Sequence, residues 1–429
     1  MKEWVQKFVN VFKLPDLRKK IFFTLFIILI YRIGVAIPVP FIDATTREYY
    51  LTSSGSMFDY MDIISGSAFS NATLFALGIS PYITSSIVMQ LLCVAIPALE
   101  RMSKEDDGKK KITQITRYVT VALALITAYG YYMMMKSYSM LTNTGFFPAV
   151  VIIACLVAGS ALVMWLGEKI NDGGIGNGIS IILFANIVSR VPSGLSTIVE
   201  MFSEGTVSGY IIPIVALIIA AVMVYFIVFV TESERRLPVT YAKRVVGRKI
   251  YGGQNTYLPL KLNMSGVMPY IFASSILAIP ATLALIIVPS DGSAWDSFVN
   301  FLSSDSWFYP LLLFVLIIAF AYFYVTISFN PIEVSNNLKN NGGSIPGFRP
   351  GKPTADYISR VLNKITLIGA LFLSIIAIFP VIANLISDNA ISGIAFGGTS
   401  LLIIVGVALE TAREIEAQMS MRGYRGFLD

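Results

Sequence analysis

The sequence contains no histidine, and charged residues make up only 14% of its 429 residues. Histidine is the usual general base near neutral pH and the commonest metal ligand, so its absence removes most hydrolytic and metal-site schemes. Soluble domains carry roughly a quarter charged residues, whereas 55% of this chain is hydrophobic. The composition therefore predicts a membrane protein that is not an enzyme, with no cofactor and no metal site.

Cysteine is also scarce, since Cys93 and Cys155 are the only two. Each lies inside an apolar run without metal-type spacing, and we interpret both as small packing residues. Ionisable residues are nearly absent from the apolar runs, with Arg32 as the clear exception. Transporters and proton pumps place such residues near the membrane midplane, so their scarcity argues against ion-coupled transport.

Long apolar runs, in contrast, recur along the whole chain, and each is close to the roughly 20 residues that a helix needs to cross a bilayer. Lysine and arginine cluster in alternate connections, which places both termini in the cytoplasm. The predicted fold is an all-α polytopic membrane protein of about ten transmembrane helices. The predicted spans are 21–39, 72–97, 115–135, 148–167, 178–191, 210–230, 266–288, 308–329, 365–386 and 394–410.

Two cytoplasmic connections, 231–264 and 330–364, are longer and richer in charge than topology requires. The first alternates hydrophobic and basic residues around Gly247, which predicts a basic β-hairpin. The second contains SIPGFRPGKPT, a non-helical path that presents Arg349 and Lys352. Anchoring by the positive-inside rule explains the charge alone, but the length of both connections favours a docking surface for an acidic partner.

The predicted outer connection 41–71 contains a short amphipathic half-helix with Ser65, Gly66 and Ser67 in its middle. This half-helix is too short and too polar to cross the membrane. It is either a re-entrant element facing an aqueous cavity or an interfacial helix on the outer surface, and the residues alone favour the second.

The segment NDGGIGNGIS opens the fifth predicted span. No strand precedes it and no GK[ST] follows, so it is not interpreted as a phosphate-binding loop. The glycines predict a tight turn and a close approach between helices. Ile83 and Ile87 are four residues apart, as are Ile179 and Leu183, and each pair shares one helical face. On spacing alone, such pairs contact lipid or the core more often than a pore.

Six motifs occur in order along essentially the full chain: ALGISPYITSSIVMQLL, NDGGIGNGISI, RRLPVTYAKRVVGRKIYGGQNTYLPLKLNMSGVMPYIFASSI, IPGFRPGKPT, GGTSLLI and RGYRGF. By these motifs the sequence resembles the SecY family, the channel-forming subunits of bacterial protein export. The resemblance implies two inverted pseudo-symmetric halves around a central pore. It divides the chain into an amphipathic cytoplasmic N-terminus (1–20), an N-terminal half (21–191), an outer hinge connection (192–209), a C-terminal half (210–410) and a cytoplasmic tail (411–429).

The resemblance also implies site residues. Leu183 departs from the family pattern, in which isoleucine is commoner, but it keeps an aliphatic side chain. The implied constriction ring consists of Ile83, Ile87, Ile179, Leu183, Ile271 and Ile403. The implied plug, near 57–70, includes Met57, Phe58, Tyr60, Met61, Ile63, Ile64, Ser65, Gly66 and Ser67. The implied lateral gate consists of Thr84, Ser85, Ser86, Gln90, Ser274 and Ser275. The implied docking residues are Arg235, Arg236, Lys243, Arg244, Arg248, Lys249, Arg349 and Lys352.

A member of this family is expected in the bacterial plasma membrane, where it translocates unfolded secretory polypeptides and releases membrane helices into lipid. The expected partners are the small subunits SecE and SecG, the motor ATPase SecA, the ribosome, signal sequences, secretory polypeptides and the lipid bilayer. A secondary transporter with inverted repeats remains the alternative, since it shares the number of spans. An intramembrane protease is a poorer third, because the chain has no histidine.

Overall fold

A computed structural model describes residues 14–42, 65–137, 139–203, 207–241, 244–246, 249–251, 255–284, 293–302, 306–386 and 398–423. The helices are α1 (Pro15–Val35), α2 (Ser80–Ala95), α3 (Pro97–Lys104), α4 (Asp106–Ser137), α5 (Phe146–Gly173), α6 (Gly178–Val188), α7 (Val191–Ser203), α8 (Val207–Glu232), α9 (Met268–Ala284), α10 (Ala294–Phe301), α11 (Phe308–Ser328), α12 (Pro331–Asn340), α13 (Lys352–Ile386) and α14 (Gly398–Gly423). The strands are β1 (Glu234–Tyr241), β2 (Arg244–Val246), β3 (Lys249–Tyr251), β4 (Asn255–Lys261) and β5 (Gly343–Ser344).

Among the described residues, six helical segments are long and apolar enough to cross a membrane. A seventh is added if α2 and α3, which meet at a bend of 109°, count as one span. The α9 helix is apolar but shorter, at 17 residues. The six segments are Asp107–Ser137, Phe146–Gly173, Gly178–Ser196, Pro213–Glu232, Phe308–Asn340 and Lys352–Ile382.

Several boundaries differ from the predicted ones. The second span was predicted to begin at 72, but α2 begins at Ser80, after Gly78 with a positive φ of 54° and with Pro81 in the first helical turn. A positive φ interrupts a right-handed helix, and proline suits its first turn. The last helix continues from Gly398 to Gly423, so it extends beyond the predicted span 394–410 and residues 411–423 of the predicted tail are helical.

One hydrophobic core joins the two ends of the chain. Buried side chains of α1, α2, α5 and α6 contact buried side chains of α8, α9, α11, α13 and α14 in a single cluster. Ile182 of α6 and Ile317 of α11, both fully buried, belong to it. Polar side chains are expensive in this interior, and those buried beside the cluster, such as Ser85 and Ser274, donate hydrogen bonds to backbone carbonyls. A second cluster lies between α4 and α5.

The glycines between α5 and α6 allow the close approach that the sequence predicted. A side chain at Gly178 would collide with the carbonyl oxygen of Gly167 on α5, and Gly176 has a φ of +76°. The Asn177 side chain caps α6 by accepting a hydrogen bond from the Ile179 amide at 3.0 Å. The turn therefore positions α6, and with it Ile179 and Leu183, directly against α5.

Replacing Gly178 with alanine should lower the free energy of unfolding by about 1–3 kcal/mol, because the added methyl group overpacks a backbone contact. Gly167→Ala is the matched control, since a side chain there meets only ordinary contacts, the nearest being Ile182 Cδ1 at 3.6 Å. Thermal unfolding of both purified variants in detergent would measure the difference. Equal melting temperatures for the two variants would contradict the packing argument.

Candidate functional site

The six predicted ring residues come from four helices and meet in one cluster. Ile83 and Ile87 lie on α2, Ile179 and Leu183 on α6, Ile271 on α9 and Ile403 on α14. Five of them are no more than 6% exposed, and Ile179 is partly buried against the same cluster. The i, i+4 spacing on α2 and α6 turns each pair towards the centre. The tertiary structure thus brings together aliphatic residues that are as far as 320 positions apart, from 83 to 403.

An apolar cavity of about 290 Å³ adjoins this ring between α2 and α9. The ring residues Ile83, Leu183, Ile271 and Ile403 line it, and α4 contributes a wall. Its described lining contains no Asp, Glu, Lys or Arg. An environment of this kind favours apolar segments and offers no group for acid or base chemistry. The α4 wall consists of Leu123, Ile126, Thr127 and Tyr131.

Three of the predicted gate residues, Thr84, Ser274 and Ser275, line the same cavity. Ser274 and Ser275 both donate hydrogen bonds to the Ile271 carbonyl of their own helix, at 3.1 and 2.7 Å. Both hydroxyls therefore donate to the backbone of their own helix and not to a group across the cavity. We call the contact between α2 and α9 along this cavity the α2–α9 seam. The hydrogen bonds of Ser274 and Ser275 do not hold it closed.

The structure places the other three predicted gate residues elsewhere on α2. Ser85 is fully buried and donates a hydrogen bond to the Thr116 carbonyl of α4 at 2.8 Å, so its hydroxyl faces α4. The Gln90 amide donates to Ser86 Oγ one turn away at 3.3 Å, and neither residue lines the cavity. Successive helical residues point in different directions, so only one face of the SSIVMQ stretch can meet α9.

The two long cytoplasmic connections fold into one unit. β1 pairs with β4 in antiparallel register, from Glu234 opposite Lys261 to Thr240 opposite Asn255, and β2 pairs with β3 around residues 247–248, which confirms the predicted hairpin. β1 also pairs with β5 of the second connection, giving the order β4-β1-β5. Leu237, Leu260 and Ile345 are buried in a core beneath this sheet. We name this unit, residues 234–261 and 331–364, the cytoplasmic module.

Four of the predicted docking residues lie on the surface of the cytoplasmic module. Arg235 and Arg349 are exposed, as is Lys352, whereas Arg236 forms an ion pair with Glu234 at 2.7 Å. Arg244 and Lys249 are part of the β2–β3 pair, opposite Tyr251 and Val246. Gly247, Lys243 and Arg248 lie outside the described residues.

Side chains fix the backbone around Arg349. Thr354 Oγ1 donates to the Arg349 carbonyl at 2.8 Å, and Ser335 Oγ donates to the Gly351 carbonyl at 2.7 Å. The rings of Phe348 and Tyr357 stack with centroids 4.1 Å apart. The loop therefore presents Arg349 from a backbone that these contacts support.

A charged cluster at the cytoplasmic ends of α8 and α14 was not predicted from the sequence. Arg413 donates to Glu232 Oε1 at 2.9 Å and to the Thr231 carbonyl, beside a cavity of about 200 Å³. Burial lowers the pKa of Lys261 in the same cavity, and the nearby positive charge of Arg413 lowers it further. The sequence feature that could have predicted this cluster is the placement of Glu410 and Arg413 three residues apart, on one face of α14.

A sequence model of the SecY family matches residues 73–412. The chain belongs to the SecY family. A protein translocase subunit SecY from Streptomyces galbus is 46% identical to this chain over 438 residues, which cover 98% of this chain and 99% of the relative. Solved SecY and Sec61 structures share the fold, so this chain is a mostly helical, multi-pass membrane protein of that channel architecture, with a small sheet in the cytoplasmic module.

Two of those solved structures illustrate the similarity. One is a SecY protein whose plug domain stabilises the closed state and maintains a membrane seal; it has a TM-score of 0.65 at 17% identity, covering 94% of this chain and 92% of that one. The other is Sec61 in the canine ribosome-channel complex from the endoplasmic reticulum, with a TM-score of 0.62 at 17% identity and the same coverage. At these identities the similarity establishes the fold alone.

The predicted plug region of this chain is only partly described. Ser65 is helical, but the helix does not continue through the rest of the predicted half-helix, because Gly66 and Ser67 have φ values of +64° and +68°. Right-handed helices exclude such angles. The other predicted plug residues, Met57, Phe58, Tyr60, Met61, Ile63 and Ile64, lie outside the described residues.

The Arg32 side chain connects two helices of the SecY fold. Its guanidinium donates a hydrogen bond to the Ala185 carbonyl of α6 at 3.1 Å. A polar bond of this kind fastens α1 to α6, which gives this intramembrane charge a structural role. The predicted amphipathic N-terminus lies outside the described residues up to 13, and α1 begins at Pro15.

Proposed function

We propose that this SecY chain is the channel-forming subunit of a protein translocase, which conducts unfolded secretory polypeptides across the bacterial plasma membrane. The observation that carries the proposal is the meeting of Ile83, Leu183, Ile271 and Ile403 around an apolar cavity at the α2–α9 seam. Family membership supports the same conclusion. In this proposal the chain catalyses no reaction.

The ring works as a seal because branched aliphatic side chains form a narrow neck that water and ions do not wet. The same side chains can rotate aside around an extended polypeptide. They offer it no charged or hydrogen-bonding group that would retain it. All six residues Ile83, Ile87, Ile179, Leu183, Ile271 and Ile403 take part in this proposal, with Ile179 as the most accessible member.

The lateral gate is the α2–α9 seam. Thr84, Ser274 and Ser275 line its cavity, and we include Ser86 and Gln90 on the neighbouring face of α2. Ser85 takes a different part in the proposal, since its hydrogen bond to Thr116 fastens α2 to α4. Polar contacts between membrane helices contribute under about 2 kcal/mol each, which suits a seam that has to open for signal sequences and new membrane helices.

The cytoplasmic module docks the partner that drives transport, the SecA ATPase or the ribosome. Exposed Arg235 and Arg349 lie on one folded unit, so both can contact the same acidic surface. Arg236, Lys243, Arg244, Arg248, Lys249 and Lys352 extend this proposed surface. A ribosome complex is known for the similar Sec61 fold, and SecE and SecG are proposed to brace the channel from the membrane.

The ring also supports the proposed division into halves. Its α2 and α6 members come from residues 21–191 and its α9 and α14 members from residues 210–410. A hinge at 192–209 would let the halves separate, and a plug near 57–70 would close the outer side. The described part of that plug, from Ser65 onwards, lies next to the ring, since Ala68 belongs to the same core cluster.

Reconstitution tests the function directly. The chain is placed in liposomes with a SecE-like subunit, and SecA, ATP and a radiolabelled secretory precursor are added. We expect ATP-dependent protection of the precursor from added protease. Correctly folded protein that gives no protection would contradict the proposal, whereas a thermal shift with a small solute would revive the transporter alternative.

A further inference from the structure

Residues 66–79 consist mainly of turns, and we name them the outer turn segment. Two backbone hydrogen bonds join it to the residues that follow α1. Val39 N donates to Ala72 O at 3.1 Å, and Leu74 N donates to Ile37 O at 2.9 Å. Ala68, Phe69 and Phe75 of the segment are no more than 4% exposed. The segment is thus part of the packed core and not a surface connection.

Tyr131 of α4 contacts this segment from the side of the seam. Its hydroxyl donates a hydrogen bond to the Phe69 carbonyl at 2.6 Å, and the two rings lie 4.8 Å apart. Tyr131 is 2% exposed and Phe69 4% exposed. A short hydrogen bond between buried groups is costly to break without replacement. The hydrogen bond therefore stabilises the position in which the segment packs against α4.

Asn186 of α6 lies under the other end of the segment. A side chain at Gly66 would come within 2.8 Å of Asn186 Oδ1 and 3.0 Å of its Cα, so only glycine permits this approach. Asn186 is fully buried and stands one helical turn from the ring residue Leu183. The segment is consequently seated on the helix that carries part of the ring.

The α4 helix links the segment to the gate. Leu123 and Thr127 of α4 line the seam cavity together with Tyr131. Ser85 fastens α2 to α4 through the Thr116 carbonyl at 2.8 Å. A displacement of α2 away from α9 would therefore carry α4 with it and draw the Tyr131 hydroxyl away from Phe69.

We infer that Tyr131 is a latch that couples the α2–α9 seam to the outer turn segment: its hydrogen bond to Phe69 holds the segment against the aliphatic ring, and seam opening breaks it. The inference rests on the proposed function. Tyr131 is a positioning residue here, since it acts on the ring through the segment. The proposal assigns a closing role to α4, from which no ring or gate residue was predicted.

The test uses the full chain with its SecE-like partner in liposomes. Tyr131→Phe removes only the hydroxyl, and we expect resting chloride efflux to rise roughly tenfold, the factor that the loss of one buried hydrogen bond supports. Export of a precursor with a weakened signal sequence should rise as well. Tyr132→Phe is the matched control, because it removes the same atom from the adjacent buried residue on α4.

A second variant, Gly66→Ala, acts on the other contact of the segment and should raise efflux in the same direction. The proposed role of Tyr131 would be overturned if the Tyr131→Phe channel showed the same chloride efflux rate as the wild type. Equal increases in efflux for Tyr131→Phe and Tyr132→Phe would also overturn it. An unchanged chloride efflux rate for Gly66→Ala would overturn the claim that packing of the segment on α6 controls the leak. Normal precursor export in the same vesicles would leave the proposed function standing, whereas absent export by the wild type would overturn both.

Discussion

Reversing the charge of Arg349 should abolish SecA-driven export while leaving the chain folded. The residue is exposed on the loop between β5 and α13, and its carbonyl is held by Thr354. Because its side chain is not part of a buried core, glutamate there should not disturb packing. A negative charge facing an acidic partner converts an attraction into a repulsion worth several kcal/mol, so binding should fall by roughly a hundredfold or more.

The measurement is SecA affinity for liposomes containing the channel, together with ATP-dependent protection of a precursor. Arg360→Glu is the matched control, since Arg360 is also an exposed arginine but lies on α13, outside the loop. The control should retain most of the binding and export. Full export by Arg349→Glu would remove Arg349 from the docking surface, and equal losses in both variants would indicate a non-specific charge effect.

Replacing Ile271 with asparagine should make the resting channel leak ions. Ile271 is 4% exposed and contributes to the ring from α9, next to Leu183 and Ile403 in the same cavity. A polar amide in this neck allows water to enter, which lowers the barrier that a dry aliphatic constriction imposes on ions. Each 1.4 kcal/mol removed from that barrier raises conductance about tenfold, and we expect at least that increase.

Single-channel conductance in planar bilayers measures this effect. Ile279→Asn is the matched control, because Ile279 lines the same cavity from the same helix but is 37% exposed and lies two turns from the ring residue. It should leave conductance near the wild-type level. Unchanged conductance of a folded Ile271→Asn channel would remove Ile271 from the seal.

Some of the fold followed directly from the sequence. The span predicted at 308–329 is α11, Phe308–Ser328, because an uninterrupted apolar run ends at a polar Asn-Pro pair that caps the next helix. The β-hairpin of the first cytoplasmic connection was also predicted, since its alternation of hydrophobic and basic residues has the period of a strand. Its antiparallel register confirms it.

Other features depended on contacts between distant parts of the chain. The spacing of Ile83 and Ile87 is the same for lipid-facing, core-facing and pore-facing residues, so only their meeting with Ile271 and Ile403 distinguishes them. The sequence likewise did not show which α2 serine faces the seam, and Ser85 turned out to face α4. The half-helix predicted around Ser65 includes Ser65 but does not extend beyond it in the described residues, because Gly66 and Ser67 have positive φ angles and Gly66 lies against Asn186.

Hydropathy, positive charge and local periodicity determined by themselves that this protein crosses the membrane several times and carries a basic hairpin. They could do so because insertion depends on the apolar area of each segment and on the charges beside it, which are local quantities. The closed ring, the joining of the two connections through β5, and the contact of Tyr131 with Phe69 were decided only by the tertiary structure. Each joins residues far apart in sequence, and such pairings are selected by the packing of the whole bundle, which no single segment encodes.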